Sequence, residues 1–421
     1  MRFFLSRFQI AIEQSDVKMV RRSTRNWFIL TTIVIGHHCL LAQENIGKDR
    51  SENTRPWSVR MADSFMARCP DTISYASDPK SGKWTYEQGV MLEALHRLTE
   101  RTQSRKYSDY LKKNIDLYVD ERGRIATYDF ESFNLDNIST GRALLALYRR
   151  TKDQKYKVAS DTLRKQLRQQ PRTSGGGFWH KKIYPYQMWL DGLYMAEPFY
   201  AEYARLFNEP ADFDSIAHQF VLIEEHTRDP KTGLLYHAWD ERRQQGWANS
   251  ETGTSPNFWG RAMGWYAWAL VDVLEFFPDN HPKRNELLSI FRRLADAILQ
   301  FREPKSKLWY QVVDQGTRER NYLESSASCM FTYAFAKGAQ KGYLDKSFSV
   351  AARESFKGIL DSLVTVDANG MVNLNHACQG AGLGGVPYRD GSYEYYVGEK
   401  QRTNDFKAIG PFILAAIELE K

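Results

Sequence analysis

Two aspartates lie in sequence contexts that suit acid–base chemistry. Asp191 lies in the stretch MWLDGLYM, where apolar and aromatic neighbours would remove much of its hydration. Because loss of hydration raises the pKa of a carboxyl group, Asp191 is a candidate proton donor near neutral pH. Asp136 opens the stretch DNISTG, and a second carboxylate close to Asp191 would keep one of the two protonated. Both positions also suit aspartates that cap helices, and the residues alone leave that alternative open.

Histidine, arginine and tryptophan side chains form a second group of candidates. His180 follows a glycine-rich run and His237 lies in LLYHAWDE, so both could donate to sugar hydroxyls or carry protons. Arg261 and Trp265 are four residues apart in FWGRAMGW, on one helical face. The arginine could hold a substrate carboxylate while the tryptophan stacks on a sugar ring. The alternatives are structural histidines, and an arginine paired with a structural carboxylate beneath a core tryptophan.

Several common catalytic and cofactor patterns are missing from the chain. The histidines lack the HxxxH or HxH spacing of metal ligands, and neither GxSxG nor HExxH occurs. Residues 380–385, GAGLGG, match the dinucleotide pattern GxGxxG, but Pro387 follows where a helix would have to begin. The sequence therefore predicts neither a metal site nor a nucleotide cofactor.

Composition and charge exclude several classes of protein. The 421 residues are 42% hydrophobic and 26% charged, which excludes a disordered chain and a multi-span membrane protein. The net charge is +7, but the first 43 residues hold six arginines and lysines against two acidic residues and so contribute +4. No basic stripe remains for nucleic acid. The 11 Trp and 23 Tyr suit a site that stacks on flat apolar faces.

The N-terminal residues have the pattern of a secretory signal peptide. A cluster of arginines precedes a short apolar run (residues 27–35), and the small Ala42 follows. We expect residues 1–43 to be the signal, translated from Met1 or from Met19, and the protein to be periplasmic or extracellular. The apolar run is short for a membrane span, although an uncleaved anchor stays as the alternative. We expect no membrane span in the mature chain.

Three cysteines remain after the predicted signal, namely Cys69, Cys329 and Cys378. Their number is odd and they have no close spacing, so the sequence allows one disulfide at most and predicts no CxxC metal site. The fold must therefore be stabilised mainly by its core.

Hydrophobic residues recur at helical spacing almost throughout the chain. Six amphipathic stretches cover residues 57–68, 105–119, 153–169, 211–228, 283–303 and 346–365. Six less charged stretches alternate with them and cover residues 84–102, 136–151, 187–206, 256–277, 322–337 and 402–420. This alternation predicts an all-α toroid of six inner and six outer helices, with an open solenoid as the alternative. No linker divides residues 55–421, which we expect to form a single domain.

The predicted architecture would bring the candidate residues together. If the inner helices run in the same direction, their N-terminal ends meet at one mouth of the toroid. Asp136, Trp189, Asp191, Arg261 and Trp265 all lie near predicted N-terminal ends. They would therefore converge on a single pocket, where the connecting loops also gather.

Six motifs together resemble one enzyme family. They are WTYEQG (84–89), DNISTG (136–141), MWLDGLYM (188–195), YHAWDE (236–241), WGRAMGW (259–265) and LESSAS (323–328). In this order, over most of residues 57–420, the set resembles the unsaturated rhamnogalacturonyl hydrolases of glycoside hydrolase family 105, which are related to the unsaturated glucuronyl hydrolases. The resemblance implies an (α/α)6 barrel that acts on oligosaccharides with a 4,5-unsaturated uronic acid at the non-reducing end.

The resemblance also implies roles for individual residues. Asp191 matches the family's catalytic acid/base, and Asp136 matches its second active-site carboxylate. The positions that contact substrate match His180, Trp189, His237, Arg261 and Trp265. The expected chemistry is hydration of a vinyl ether: one carboxyl group protonates C4, water adds at C5, and the hemiketal opens and expels the neighbouring sugar. No metal or organic cofactor is expected.

Two other functions remain compatible with these motifs. One is an unsaturated glucuronyl hydrolase acting on fragments of a glycosaminoglycan-like or algal polysaccharide. The other is a non-catalytic carbohydrate-binding barrel, against which the presence of both Asp136 and Asp191 argues. The expected partner in each case is an oligosaccharide, and nothing in the sequence specifies the sugar next to the unsaturated residue or the oligomeric state.

Overall fold

The computed structural model describes residues 55–75, 78 and 82–420. The predicted signal segment, residues 1–43, lies outside the described residues. Pro56–Lys421 forms one compact unit. Its secondary structure is almost entirely helical.

Within the described ranges, twelve long helices alternate between two rings. The inner helices are α2 (Tyr86–Thr102), α4 (Gly141–Thr151), α6 (Leu190–Phe207), α8 (Gly260–Phe276), α10 (Ser325–Gln340) and α13 (Phe406–Leu419). The outer helices are α1 (Trp57–Arg68), α3 (Arg105–Asp116), α5 (Gln154–Gln169), α7 (Asp212–Thr227), α9 (Arg284–Gln300) and α11 (Ser347–Ser362). A short helix, α12 (Tyr393–Gly398), lies in the connection that precedes α13.

The inner ring is closed. Each inner helix packs against the next one in chain order, and α13 packs against α2. The prediction of an (α/α)6 barrel is therefore confirmed, and the open solenoid is wrong. Small residues permit this close packing: a Cβ on Gly264 of α8 would lie 2.7 Å from the sulfur of Met330 on α10.

Two details of the helical prediction are wrong. The stretch 136–151 does not begin with a long helix, because a 3₁₀ turn at Leu135–Asn137 precedes α4, which starts only at Gly141. Short strands also occur, as three antiparallel two-stranded pairs within the described part of the chain. They are β1 (Gln187–Trp189) with β2 (Ala238–Asp240), β3 (Val364–Val366) with β4 (Val372–Leu374), and β5 (Ala377–Cys378) with β6 (Gln401–Arg402).

A buried network of charges connects the inner helices. Arg142 of α4 pairs with Glu93 of α2 at 2.9 Å, Glu202 of α6 at 3.2 Å and Asp272 of α8 at 2.7 Å. Lys337 of α10 lies 2.6 Å from Asp272. Burial raises the pKa of Asp272, but Lys337 and Arg142 together hold it well below its usual range. The network thus links five of the six inner helices through compensated charges.

The cysteines agree with the prediction of a fold without a disulfide framework. Cys69, Cys329 and Cys378 are buried free thiols. Among the residues that the structure describes, no helix combines the length and apolar character needed to cross a membrane.

Candidate active site

A pair of short strands positions Asp191 next to His237. Strand β1 runs directly into α6, and β1 pairs with β2 so that Trp189 lies opposite Ala238. Just beyond the pairing, the Leu190 amide donates to the His237 carbonyl over 3.0 Å. Asp191 therefore enters the first turn of α6 beside His237, although 46 residues separate them in the sequence.

Asp191 and His237 form a close carboxylate–imidazole pair. The His237 Nε2 atom lies 3.1 Å from Asp191 Oδ2, although the two atoms are not aligned for a regular hydrogen bond. On its other side, His237 Nδ1 lies 2.7 Å from the Tyr396 hydroxyl. His237 and Tyr396 are fully buried, whereas Asp191 retains 9% of its exposure. Of these three side chains, Asp191 is thus the one that a bound molecule can reach.

The expected raised pKa of Asp191 is wrong for the unliganded protein. Burial does raise the pKa of Asp191, as the apolar sequence context predicts. The neighbouring His237 and His180 lower it further than burial raises it, and the net pKa lies below the ordinary value. Asp191 is therefore ionised near neutral pH, and it must gain a proton before it can act as an acid.

Asp136 lies in the 3₁₀ turn Leu135–Asn137. The alternative expectation, that Asp136 caps a helix, is therefore wrong. The Asp136 amide is itself capped by the side chain of Asn134, at 3.0 Å. The carboxylate lies 2.5 Å from Lys181 Nζ and 3.4 Å from His180 Nε2. Because Lys181 offsets its charge, Asp136 does not keep Asp191 protonated in the way the sequence suggested. Asp191 is not an N-cap either, since Trp189 occupies that position of α6.

Three rings form a continuous stack beside the two aspartates. His180 stacks on Trp189 with centroids 4.7 Å apart, and Tyr184 stacks on the other side at 4.8 Å. Arg389, from the glycine-rich segment 380–391, donates to the Tyr184 hydroxyl over 3.0 Å. Leu383 of the same segment packs in the cluster around Trp189. This segment thus borders the candidate site.

His180 is held in its neutral form. The ring is 3% exposed, and burial lowers the pKa of His180 to about 4, even though Asp136 acts in the opposite direction. Near neutral pH the imidazole therefore carries one N–H and one acceptor nitrogen. It can donate or accept a hydrogen bond without adding charge to the site.

The matches with known proteins identify the family. Residues 57–421 match the family model described as "Glycosyl Hydrolase Family 88". A solved family 105 glycoside hydrolase from C. acetobutylicum ATCC 824 is 44% identical with a TM-score of 0.84, covering 87% of this chain and 99% of its own. The chain belongs to the glycosyl hydrolase 88/105 group. The family resemblance inferred from the motifs is therefore confirmed, and the protein is a glycosidase.

Two curated proteins are also similar in sequence to this glycosyl hydrolase. "Protein Atu3128" of Agrobacterium fabrum is 37% identical over 230 residues, which is 53% of this chain and 97% of the relative. The "unsaturated rhamnogalacturonyl hydrolase YesR" of Bacillus subtilis is 27% identical over 286 residues, covering 66% and 76% of the two chains. The group to which the chain belongs therefore includes hydrolases of unsaturated uronyl sugars.

Arg261 and Trp265 of this glycosidase are almost completely buried, like His237. Arg261 is 1% exposed, and its guanidinium donates to Ser326 over 2.7 Å, lies 3.3 Å from Glu324 and donates to the Cys378 carbonyl. Trp265 is also 1% exposed and stacks on Tyr194 at 4.4 Å. This geometry matches the structural alternative, in which the arginine pairs with a buried carboxylate. Neither side chain makes a described contact with Asp191.

Tyr86 contacts Trp265 and is influenced by the charge of Asp136. Its ring meets Trp265 edge-on at 6.1 Å. Burial, with the negative charges of Glu87 and Asp136, raises the pKa of Tyr86 well above its ordinary value, so the hydroxyl stays protonated. Tyr86 lies within the WTYEQG motif, which the resemblance had marked only as a whole.

Sequence reasoning did not assign Lys181, Tyr184 or Tyr396 to the site. Lys181 immediately follows His180. A cation next to a candidate histidine could have indicated that Lys181 belongs to the same site. Tyr396 comes from α12, more than 150 residues from His237, and no local pattern indicates that contact. Within the described part of this family 88/105 chain, no group of three or more His, Cys, Asp or Glu side chains is arranged to hold a metal ion.

Proposed function

We propose that the protein removes a 4,5-unsaturated uronic acid from the non-reducing end of oligosaccharides produced by polysaccharide lyases. The natural substrate of the proposal is an unsaturated galacturonyl-rhamnose. The observation that carries the proposal is the Asp191–His237 pair, at 3.1 Å, at the N-terminal end of α6 in a chain of the 88/105 group. The name of the curated relative from Bacillus subtilis supports the choice of rhamnogalacturonan fragments.

The proposed reaction needs one carboxyl group that works in both directions. Protonated Asp191 delivers its proton to C4 of the C4=C5 double bond, and positive charge develops at C5 and the ring oxygen. A water molecule attacks C5 while the Asp191 carboxylate takes up one of its protons. The resulting hemiketal opens to a ketone, and the neighbouring sugar leaves with its hydroxyl group. The net change is addition of one water molecule and cleavage of one glycosidic bond.

Substrate binding provides a physical reason for Asp191 to become protonated. Asp191 is ionised in the free protein, whereas the charge of Asp136 is offset by Lys181 at 2.5 Å. A uronate carboxylate that enters the site adds a negative charge and replaces water around Asp191. Both effects raise a carboxyl pKa. We infer that Asp191 takes up its proton as the anionic substrate binds.

The proposed contacts divide between charge and stacking. Lys181 keeps 21% of its side-chain exposure and can reach the uronate carboxylate, while His180 and His237 hydrogen-bond to ring substituents. Trp189 already stacks with His180 and Tyr184, so we expect it to form a wall that restricts where the sugar can lie. Arg261 and Trp265 are buried, and their direct contact with substrate stays a prediction.

The decisive experiment follows loss of the double bond in an unsaturated galacturonyl-rhamnose disaccharide by its ultraviolet absorbance. We expect turnover by the wild type and a loss of at least about a thousandfold in Asp191→Asn, which keeps the shape of the side chain but cannot donate the proton. Circular dichroism of Asp191→Asn checks that the helical fold is intact. Near-wild-type turnover by a folded Asp191→Asn would refute the assignment.

A panel of lyase digests tests the substrate class separately. We expect the fastest turnover on rhamnogalacturonan fragments. Preferential turnover of glycosaminoglycan or algal fragments would contradict the galacturonyl-rhamnose assignment while keeping the reaction type. Binding without turnover of any digest would instead favour a carbohydrate-binding barrel.

We also propose that the protein is exported to the periplasm or beyond. The support is the charged and apolar pattern of residues 1–43, which lie outside the described structure. Sequencing the N-terminus of the mature protein from cell fractions tests this. We expect a start shortly after residue 43, and a cytoplasmic protein with an intact N-terminus would contradict export.

A further inference from the structure

A buried carboxyl group on the far side of His180 has no role in the proposed reaction. Glu197 lies six residues after Asp191 on α6 and is 1% exposed. Its Oε2 atom has no hydrogen-bond partner among the described residues. Burial raises the pKa of Glu197 well above its ordinary value, although Arg172 and Arg164 act in the opposite direction. This shift favours the protonated form of Glu197, which can donate a hydrogen bond.

The second unpartnered atom nearby is a nitrogen of His180. Its Nδ1 atom is buried and, like Glu197 Oε2, lacks a partner among the described residues. A narrow void between the two side chains has room for about one water molecule. The other residues around the void are Leu135, Phe178, Met188, Trp189, Gly192, Leu193 and Gln219.

Gly192 keeps the approach to His180 open. A Cβ at this position would lie 3.2 Å from His180 Nδ1. A larger side chain on this turn of α6 would therefore crowd the nitrogen that faces the void. Two buried polar atoms, a void that both border, and a glycine at its edge together make a built polar site.

We propose that Glu197 is a positioning residue that donates a hydrogen bond, through one trapped water molecule, to His180 Nδ1. The water accepts from the Glu197 carboxyl group and donates to the imidazole nitrogen. His180 then carries its only proton on Nε2, which faces Asp136 Oδ1 at 3.4 Å. Glu197 Oε2 and His180 Nδ1, the two atoms without a partner among the described residues, each gain a hydrogen bond in this arrangement, as is usual for buried polar groups.

The consequence for the site is a fixed tautomer of His180. With Nδ1 occupied as an acceptor, Nε2–H is available as a donor to Asp136 or to a substrate oxygen. Without the water-mediated donor, both neutral tautomers become accessible, and one of them presents a bare nitrogen to the Asp136 carboxylate. The effect on turnover rests on the proposed function, whereas the tautomer itself does not.

Nitrogen-15 NMR of the histidine side chains tests the proposal directly. The His180 signals are assigned by their loss in His180→Gln. In the wild type at pH 7 we expect a protonated Nε2, an unprotonated Nδ1 and a Glu197 carboxyl carbon shift typical of the acid form. An ionised Glu197 or a protonated Nδ1 in the wild type would overturn the proposal.

Two variants of Glu197 separate hydrogen bonding from packing. Glu197→Gln keeps a donor of nearly the same shape, so we expect the wild-type tautomer and kcat/KM within about threefold. Glu197→Met keeps the volume but removes the donor, so we expect mixed His180 tautomers and roughly a tenfold loss of kcat/KM. An unchanged tautomer in Glu197→Met refutes the link. If the His180 tautomers change in Glu197→Met but neither the wild type nor any variant is active, the proposed function is refuted. The connection between Glu197 and His180 would still stand.

Discussion

The neutral state of His180 predicts a specific dependence of stability on pH. Its pKa is about 4 in the folded protein against an ordinary value of 6.5. Between these two values the unfolded chain binds a proton that the folded chain does not, so the free energy of unfolding falls as the pH falls. A pKa difference of about 2.5 corresponds to about 3.4 kcal/mol, lost between about pH 6.5 and pH 4. For a unit of this size that is a decrease in Tm of about 4 °C.

His180→Gln isolates this contribution because glutamine does not titrate. We expect the difference in unfolding free energy between variant and wild type to change by about 3 kcal/mol in favour of the variant from pH 7.5 to pH 4. Carboxylates with lowered pKa values also lose stability in acid, but they are common to both proteins and cancel. His218→Gln is the matched control, since His218 is exposed. A difference that is the same at both pH values refutes the claim that folding keeps His180 neutral.

Two further predictions concern the buried arginines. Arg142→Met leaves Glu93, Glu202 and Asp272 without their shared cation. We therefore expect the free energy of unfolding, measured by chemical denaturation, to fall by about 3–5 kcal/mol. A loss below about 1 kcal/mol would contradict this structural role. Arg261→Met leaves Glu324 unpaired and should cost a similar amount, most of which Arg261→Met with Glu324→Gln should restore. A strongly raised KM in that stable double variant would show that Arg261 binds substrate, and an unchanged KM would show that its role is structural.

The alternation of helices was predictable because it depends on a pattern that each segment carries itself. One-sided apolar stripes mark the outer helices, and more continuous apolar stretches mark the inner ones. The starts of helices were less predictable. The stretch DNISTG contains suitable capping residues, yet the chain first makes a 3₁₀ turn and enters α4 only at Gly141. That turn directs Asp136 towards His180 and Lys181, which lie more than 40 residues away in sequence.

The pKa of Asp191 shows why the electrostatics of a site are harder to predict than its members. The apolar neighbours in MWLDGLYM correctly indicated burial, which acts to raise the pKa. The opposing influence comes mainly from His237, which the β1–β2 pairing brings within 3.1 Å. Nothing in the spacing of the two residues specifies that distance. The net direction of the pKa shift of Asp191 therefore depends on the tertiary structure.

The barrel interior is arranged in layers along the inner helices. Asp191 lies in the first turn of α6, and Glu202, eleven residues later, lies about 16 Å further along the axis. Between them, Tyr194 stacks with Trp265. Arg142 joins the acidic side chains beyond this aromatic layer. Because large rings and matched charges lie beyond Asp191 in the barrel, we expect an anionic sugar to reach this carboxylate from the side on which α6 begins.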